Sequence, residues 1–398
     1  MKQVSKLVSK QTKNIEKAKE EHKSSKRTVR GKMDMVFFGC VMLLLTVGLI
    51  MLFSASYAFA YYNYGNSYKF IIRQAEFAVV GVVGMILISY VDYHWFAKKS
   101  FPWILYIGSV GMLGLVLALP PMSEGFDYKR WIAIGGFSFQ PSEVAKFAII
   151  LLFAYLISKN YKRMQEFKYG ICYFFVLLGI VCGLLVMEPH LSATILVFAI
   201  GVILMIVGGI KMMHMAVVAG VGVLGVAGIV LSGAVDYAFS RFQYWIDPWA
   251  DATGKGYQTI QSLLAIGSGG LWGRGLGNSR QKYLWVPEPH NDFIFSIVCE
   301  ELGLIGAICI LIGFGLLIWR GVSIAMRAPD RFGSLLAMGI IFQIGLQTAL
   351  NILVVTNTIP NTGISLPFFS YGGTSLLMLL GQMGIVLSIS RSSTVRKR

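Results

Sequence analysis

Ten stretches of this chain are continuously apolar, and no other property limits its fold so sharply. They run roughly over residues 35–60, 70–91, 101–119, 143–158, 170–187, 191–208, 214–232, 293–319, 332–356 and 373–390. A helix needs about 20 mainly apolar residues to cross a bilayer. In lipid every backbone polar group must be paired internally, so only helices or a closed barrel qualify. The runs are unbroken, not alternating, which selects helices. With 56% hydrophobic and 14% charged residues among 398, and a mean hydropathy of +0.66, the chain is too apolar for a soluble globule. The expected fold is an all-α polytopic membrane protein of about ten transmembrane helices.

The net charge of +16 suggests a nucleic-acid partner until its distribution is read. Residues 1–34 hold eleven Lys/Arg against four acids. Further basic groups follow at Lys98 and Lys99, at Lys159, Lys162, Arg163 and Lys168, at Lys211, at Arg320, Arg327 and Arg331, and at Arg391, Arg396, Lys397 and Arg398. Together these make 25 of the 35 Lys/Arg, and a ten-span topology puts all of them on one side. The positive-inside rule makes that side cytoplasmic. Both termini are then inside. One long loop, about residues 233–292 between helices 7 and 8, faces outward. Residues 1–34 read as a basic, disordered cytoplasmic tail drawn to anionic lipid, without the apolar core or cleavage site of a signal peptide. Residues 35–398 form the transmembrane domain. No nucleic-acid partner is expected.

Cys40, Cys172, Cys182, Cys299 and Cys309 all fall within spans and read as packing residues. No Cys/His cluster has metal-ligand spacing. Gly220, Gly222 and Gly225 match a dinucleotide-binding pattern, but inside an apolar span their role is close helix packing. The run from Gly267 to Gly277, with Arg274 inside it, would let backbone N–H groups approach an anion. A merely flexible loop is equally compatible with it.

Polar groups at span ends need explaining. Pro287-Glu288-Pro289-His290-Asn291-Asp292 is a proline-broken segment ending in a carboxylate just before a long apolar helix. That places Asp292 at the lipid–water boundary, where it either caps the helix or meets a membrane-held substrate. Glu143 and Lys146, after Gln140-Pro141-Ser142, share a helical face. They read as an ion pair locking that helix end, with substrate contact as the alternative. Glu300 and Glu301 lie two turns into the eighth span and must face the protein interior. Arg73 and Glu76 form another same-face pair. Lys129-Arg130-Trp131 sets two cations beside an interfacial aromatic, and the long loop adds Arg241, Lys255, Arg274, Arg280 and Lys282. Outward cations beside a bilayer suit an anionic, membrane-borne ligand.

With these motifs the chain resembles the SEDS family (shape, elongation, division and sporulation; FtsW, RodA and SpoVE) from about Met35 to its end. The resemblance rests on Lys129-Arg130-Trp131, on Gln140-Pro141-Ser142-Glu143 with Lys146, and on Lys255-Gly256-Tyr257-Gln258. It rests also on residues 287–295 with Glu300-Glu301-Leu302-Gly303, and on residues 361–373. Asn278-Ser279-Arg280-Gln281-Lys282-Tyr283 is closer to the FtsW/SpoVE branch. Two departures stand out. Glu188-Pro189-His190-Leu191-Ser192 replaces the common Gln-Pro-Asp-Leu-Gly, and Asn291 stands where Thr commonly precedes the acid.

The resemblance implies a peptidoglycan glycosyltransferase that polymerises lipid II at the outer face of the cytoplasmic membrane, in septal wall synthesis or sporulation. The implied partners are a class B penicillin-binding protein transpeptidase and other divisome or elongasome membrane proteins. Asp292 is the expected general base of an inverting transfer. The expected substrate-binding residues are Arg130, Trp131, Arg274, Arg280, Lys282, Glu288, His290 and Ser370, with Arg130, Arg274, Arg280 and Lys282 as candidates to stabilise the departing diphosphate. The sequence requires no cofactor and leaves a helping divalent cation, Mg or Mn, open. A lipid II flippase and a non-catalytic scaffold recruiting the transpeptidase are the competing readings.

Overall fold

The computed structural model describes residues 31–119, 130–134, 137–188, 190–214, 216, 219–220, 244–254 and 256–392. The helices are α1 (Met35–Tyr64), α2 (Lys69–Tyr90), α3 (Ser100–Ala118), α4 (Pro141–Lys159), α5 (Phe174–Met187), α6 (Leu191–Val207), α7 (Tyr257–Gly269), α8 (Ile294–Met326), α9 (Arg331–Val355) and α10 (Gly373–Ser392). A π-helical turn, Lys168–Tyr173, leads into α5. Strands β1 (Ile132–Ile134) and β2 (Phe137–Phe139) make a small antiparallel hairpin before α4. Among the described residues eight helices are long and apolar enough to span a membrane, and α6 is a shorter apolar helix. The chain is a multi-pass membrane protein. The expected seventh span, 214–232, lies almost wholly outside the described residues, as do the tail up to residue 30, Lys129, Arg241 and Lys255.

Helix α4 is the hub. It is apolar on every side, the mark of a helix with no lipid or water face, and it is buried from Pro141 to Ile157. α3, α6 and α9 pack around it, while α10 lies along α2 and α8 lies between α1 and α9. Pro141 begins α4 where a missing N–H costs nothing, and Glu143 in the first turn suits the positive end of the helix dipole.

The bundle has two chemically different ends. At one, Asp34 caps α1 by accepting from Phe37 N at 3.0 Å and pairs with Arg320 Nη2 at 2.8 Å. Gly31 N donates to Arg391 O at 2.6 Å, Tyr93 donates to Asp330, and the Arg391 and Arg331 guanidiniums lie over Tyr90 and Tyr161. This end carries the described basic positions on which the sequence bases its cytoplasmic side. A chamber opens at the other end, where α4, α6 and α8 begin.

The long loop is less of a loop than expected. α7 packs along the first half of α8, and the glycine run after it is fastened into a break in that helix at Gly303, where φ is 68°. Arg274 N and Gly275 N donate to Glu300 O and Glu301 O, while Leu304 N and Ile305 N donate to Gly270 O and Leu271 O. A Cβ on Gly273 would stand 2.2 Å from Glu301 O, and one on Gly303 2.2 Å from Gly273 N. The glycines permit this backbone approach, and Gly270, Gly273, Gly275 and Gly277 all take positive φ. The run is a built joint. It is neither a flexible connector nor an anion nest.

Candidate functional site

The chamber has a volume of about 740 Å³ and gathers residues from distant parts of the chain. Arg130 and Trp131 come from the approach to β1, Glu143 and Lys146 from α4, and His190 and Ser192 from the start of α6. Glu288, Asn291 and Asp292 come from the segment before α8, Gln343 and Gln347 from α9, and Ser370 and Tyr371 from the segment before α10.

Asp292 is held through its backbone. Its carbonyl accepts from Asn351 Nδ2 at 2.7 Å, and the same amide donates to Ile364 O at 2.6 Å. This ties residues 292 and 364 to α9. Ser370 Oγ donates to Asn291 O at 2.8 Å and accepts from Leu366 N at 2.7 Å. Tyr371 N donates to His290 O at 2.9 Å. Gln74 of α2 braces the second strip, donating to Ser370 O and accepting from Gly372 N. The carboxylate is closely surrounded but keeps a face open to the chamber. Burial, with the Glu288 charge added, pushes its pKa up to about 6 against the pull of Arg130.

The Glu143–Lys146 pair is formed at 2.7 Å, almost fully buried, in the chamber wall. Glu288 is exposed at the rim. Its φ is 45°, and it accepts from Asn291 Nδ2 at 2.9 Å, which shapes the turn leading to Asp292. Glu188 is buried with neither carboxylate oxygen partnered. Its pKa is raised to about 7 by burial, partly offset by Arg130.

Four of the expected binding residues do not line the chamber. His290 is packed between Phe59 and Phe70, with ring centroids 4.9 and 4.3 Å away. Burial lowers its pKa to about 4, so the ring is a neutral filler between the strip and α2. Lys282 is 3% exposed and donates from Nζ to Glu301 Oε1 at 3.0 Å, Gly277 O at 2.6 Å and Ser54 Oγ at 3.2 Å. Arg274 lies 3.7 Å from Glu300. The Arg280 side chain is exposed, and its backbone N–H donates to Glu300 Oε1 at 2.9 Å. Glu300 and Glu301 have therefore drawn Lys282 and Arg274 into the joint, since a buried carboxylate needs its partners close, whereas Arg280 joins it only through its backbone. Glu300 also accepts from Ser279 Oγ, and Glu301 from Ser54 Oγ and Ser279 N.

Sequence reasoning missed His190, Ser192, Gln343 and Gln347 as chamber residues and noted Arg73 only as a partner for Glu76. Gln343 and Gln347 carried a readable signal, two amides one turn apart in an apolar span. Asn351, which holds the Asp292 backbone, continues that row by another turn.

A family described as "Cell cycle protein" (FtsW, RodA, SpoVE) matches residues 34–395. The chain belongs to this family. It is 41% identical over 370 residues to stage V sporulation protein E of Bacillus subtilis (strain 168), covering 92% of this chain and 99% of that one. It is 36% identical over 364 residues to a probable peptidoglycan glycosyltransferase FtsW of Geobacter sp. (strain M18), covering 92% and 98%. A chain from a peptidoglycan synthase complex that coordinates polymerization and crosslinking superposes with a TM-score of 0.76 at 27% identity, covering 92% of this chain and 99% of that one. The rod shape determining protein RodA of Thermus thermophilus shares the fold, with a TM-score of 0.64 at 24% identity over 91% and 98% of the two chains. An FtsW/RodA/SpoVE bundle thus frames the chamber that Asp292 lines.

Proposed function

We propose that this chain is a peptidoglycan glycosyltransferase that polymerises lipid II at the outer face of the cytoplasmic membrane, serving septal wall synthesis or sporulation beside a class B penicillin-binding protein transpeptidase. One observation carries the reading. The Asp292 carboxylate lines a chamber at the end of the bundle opposite the described basic connections, and Arg73 and Arg130 line the same chamber.

The reaction is a direct displacement. Asp292 accepts the proton of the acceptor's GlcNAc 4-hydroxyl as that oxygen attacks the anomeric carbon, and the lipid diphosphate leaves from the opposite face. No covalent enzyme intermediate is needed to convert an α-linked sugar diphosphate into a β-linked product. A carboxylate with a pKa near 6 is a better base than an ordinary Asp and is still ionised at pH 7. Positioned base catalysis is worth about 10²–10⁴-fold. Arg130 and Arg73 are the cations in the wall suited to the charge that builds on the departing diphosphate. Among the described residues no three His, Cys, Asp or Glu side chains converge on one point. A Mg²⁺ arriving on substrate phosphates uses only one or two carboxylates, and Asp292 and Glu288 are the two at the chamber besides Glu143, which is paired with Lys146.

The test supplies labelled lipid II to the purified chain, with and without its transpeptidase partner. Glycan polymer is the expected product. Transbilayer movement in liposomes without polymer would establish a flippase instead, and neither result would leave a scaffold.

A further inference from the structure

The first turn of α6 forms one wall of the chamber through His190, Ser192 and Ala193. His190 occupies the N-cap position, yet its side chain makes no capping hydrogen bond. The leading amides of the helix are therefore left without the partner that this position usually supplies. The residue itself is firmly held. Its N–H donates to Leu185 O at 3.0 Å, and its carbonyl accepts from Thr194 N at 3.1 Å and Thr194 Oγ1 at 3.0 Å.

The ring is 8% exposed, and Nδ1 is buried with no partner. His190 lines the chamber, and Nε2, unlike Nδ1, is not among its buried, unpartnered atoms, which makes Nε2 the nitrogen available to a ligand there. A buried N–H without an acceptor costs more than a bare lone pair, so the proton belongs on Nε2. Burial, together with the Arg130 and Lys146 charges, lowers the ring's pKa to about 3 and keeps it neutral. Ser192 is also near the base. The point where a Cβ on Gly363 would sit is 3.0 Å from Asp292 Oδ2 and 4.0 Å from Ser192 Oγ.

Imidazole N–H, hydroxyl and helix-end amides thus line one wall as hydrogen-bond donors, and they call for an oxygen acceptor. Arg130 and Lys146 act on the ring, but Lys146 is paired with Glu143 and the Asp292 carboxylate stands beside an uncharged imidazole, which favours an uncharged oxygen over an anion. We infer that the start of α6, through His190 Nε2 and Ser192 Oγ, holds an uncharged oxygen of the acceptor sugar, a hydroxyl or an acetamido carbonyl, against Asp292. The inference rests on the polymerase reading above. It makes His190 and Ser192 acceptor-positioning residues.

The test is a single-addition assay on the full chain with its partner, using one probe that can only accept and one that can only donate. The acceptor-only probe is lipid II whose anomeric oxygen is replaced by a methylene (a C-glycosyl phosphonate), so that the bond to its leaving group cannot break. The donor-only probe is lipid II with its 4-hydroxyl inverted. His190→Phe is expected to raise the acceptor-probe KM about tenfold, the size of one lost hydrogen bond, with the donor-probe KM and the acid limb of the pH profile unchanged. His190→Gln, which restores an N–H near the Nε2 position, is expected to return the acceptor KM towards the wild-type value. If His190→Phe fails to fold, Ser192→Ala gives the same reading.

An unchanged acceptor KM, a raised donor KM, or a folded His190→Gln as impaired as His190→Phe would overturn the inference. Wild-type protein that joins no probes would instead overturn the polymerase reading beneath it.

Discussion

Asp292 performs best in the fold at a cost to the fold. Its pKa near 6 lies above the unfolded value of 3.8, so the native state favours the protonated form. The ionised form therefore penalises folding, and the penalty grows as pH rises through the folded pKa. Asp292→Asn removes it. At 1.36 kcal/mol per pKa unit, discounted for the face open to the chamber, the gain is about 1–2 kcal/mol. Asp292→Asn is expected to abolish polymerisation while melting higher than wild type at pH 8, with the advantage gone by pH 4. Thermal unfolding at the two pH values checks this. Activity of the wild type should fall as pH drops through about 6, when the base becomes protonated. The Glu288 charge helps to raise that value, so Glu288→Gln should move the acid limb of the pH–rate profile to lower pH. The sequence marked Asp292 through the proline-broken approach to an apolar helix, but it gave no sign of the pKa. The raised value comes from burial and from the Glu288 charge, in a chamber whose lining is drawn from as far apart in the chain as Tyr64 and Leu379.

At the scale of elements, the legible and the hidden parts divide by physical cause. Apolar run length locates helices because lipid leaves the backbone no alternative, and the α4 ion pair followed from three-residue spacing. The Gly267–Gly277 run was opaque because its partner, the break at Gly303, lies about thirty residues onward. Lys282 was misassigned for the same reason, since its carboxylate partner is inside the next helix. Gly303→Ala places a Cβ 2.2 Å from Gly273 N at a φ of 68° and should sharply reduce folded yield in detergent. Gly84→Ala in α2, with nothing within 4 Å, should be tolerated or stabilise by up to about 1 kcal/mol. Lys282→Met leaves Glu301 buried without its cation and should cost about 3–5 kcal/mol, read as a drop in melting temperature. The double variant Lys282→Met with Glu301→Gln should recover part of that loss, because the uncompensated charge is then gone.

For the whole molecule, the orientation of the bundle decides whether the chemistry is possible at all. A lipid-linked sugar is polymerised outside only if the Asp292 end faces outward, and two independent features bear on that. The basic residues of the short connections set one end inside, and the packing puts the chamber at the other. Asn66 lies exposed in the α1–α2 turn at the chamber end, and Lys98 lies exposed before α3 at the basic end. Each can carry a single cysteine after Cys40, Cys172, Cys182, Cys299 and Cys309 are replaced. Of these five, Cys299 is the buried one and the others are partly or fully exposed, so replacement should be mild. In intact spheroplasts a membrane-impermeant thiol reagent is expected to label Asn66→Cys and to reach Lys98→Cys only after permeabilisation. The reverse pattern would put Asp292, Arg130 and the α6 wall in the cytosol. There they would stand on the wrong side of the bilayer for outer-face polymerisation, however well their geometry suited the reaction.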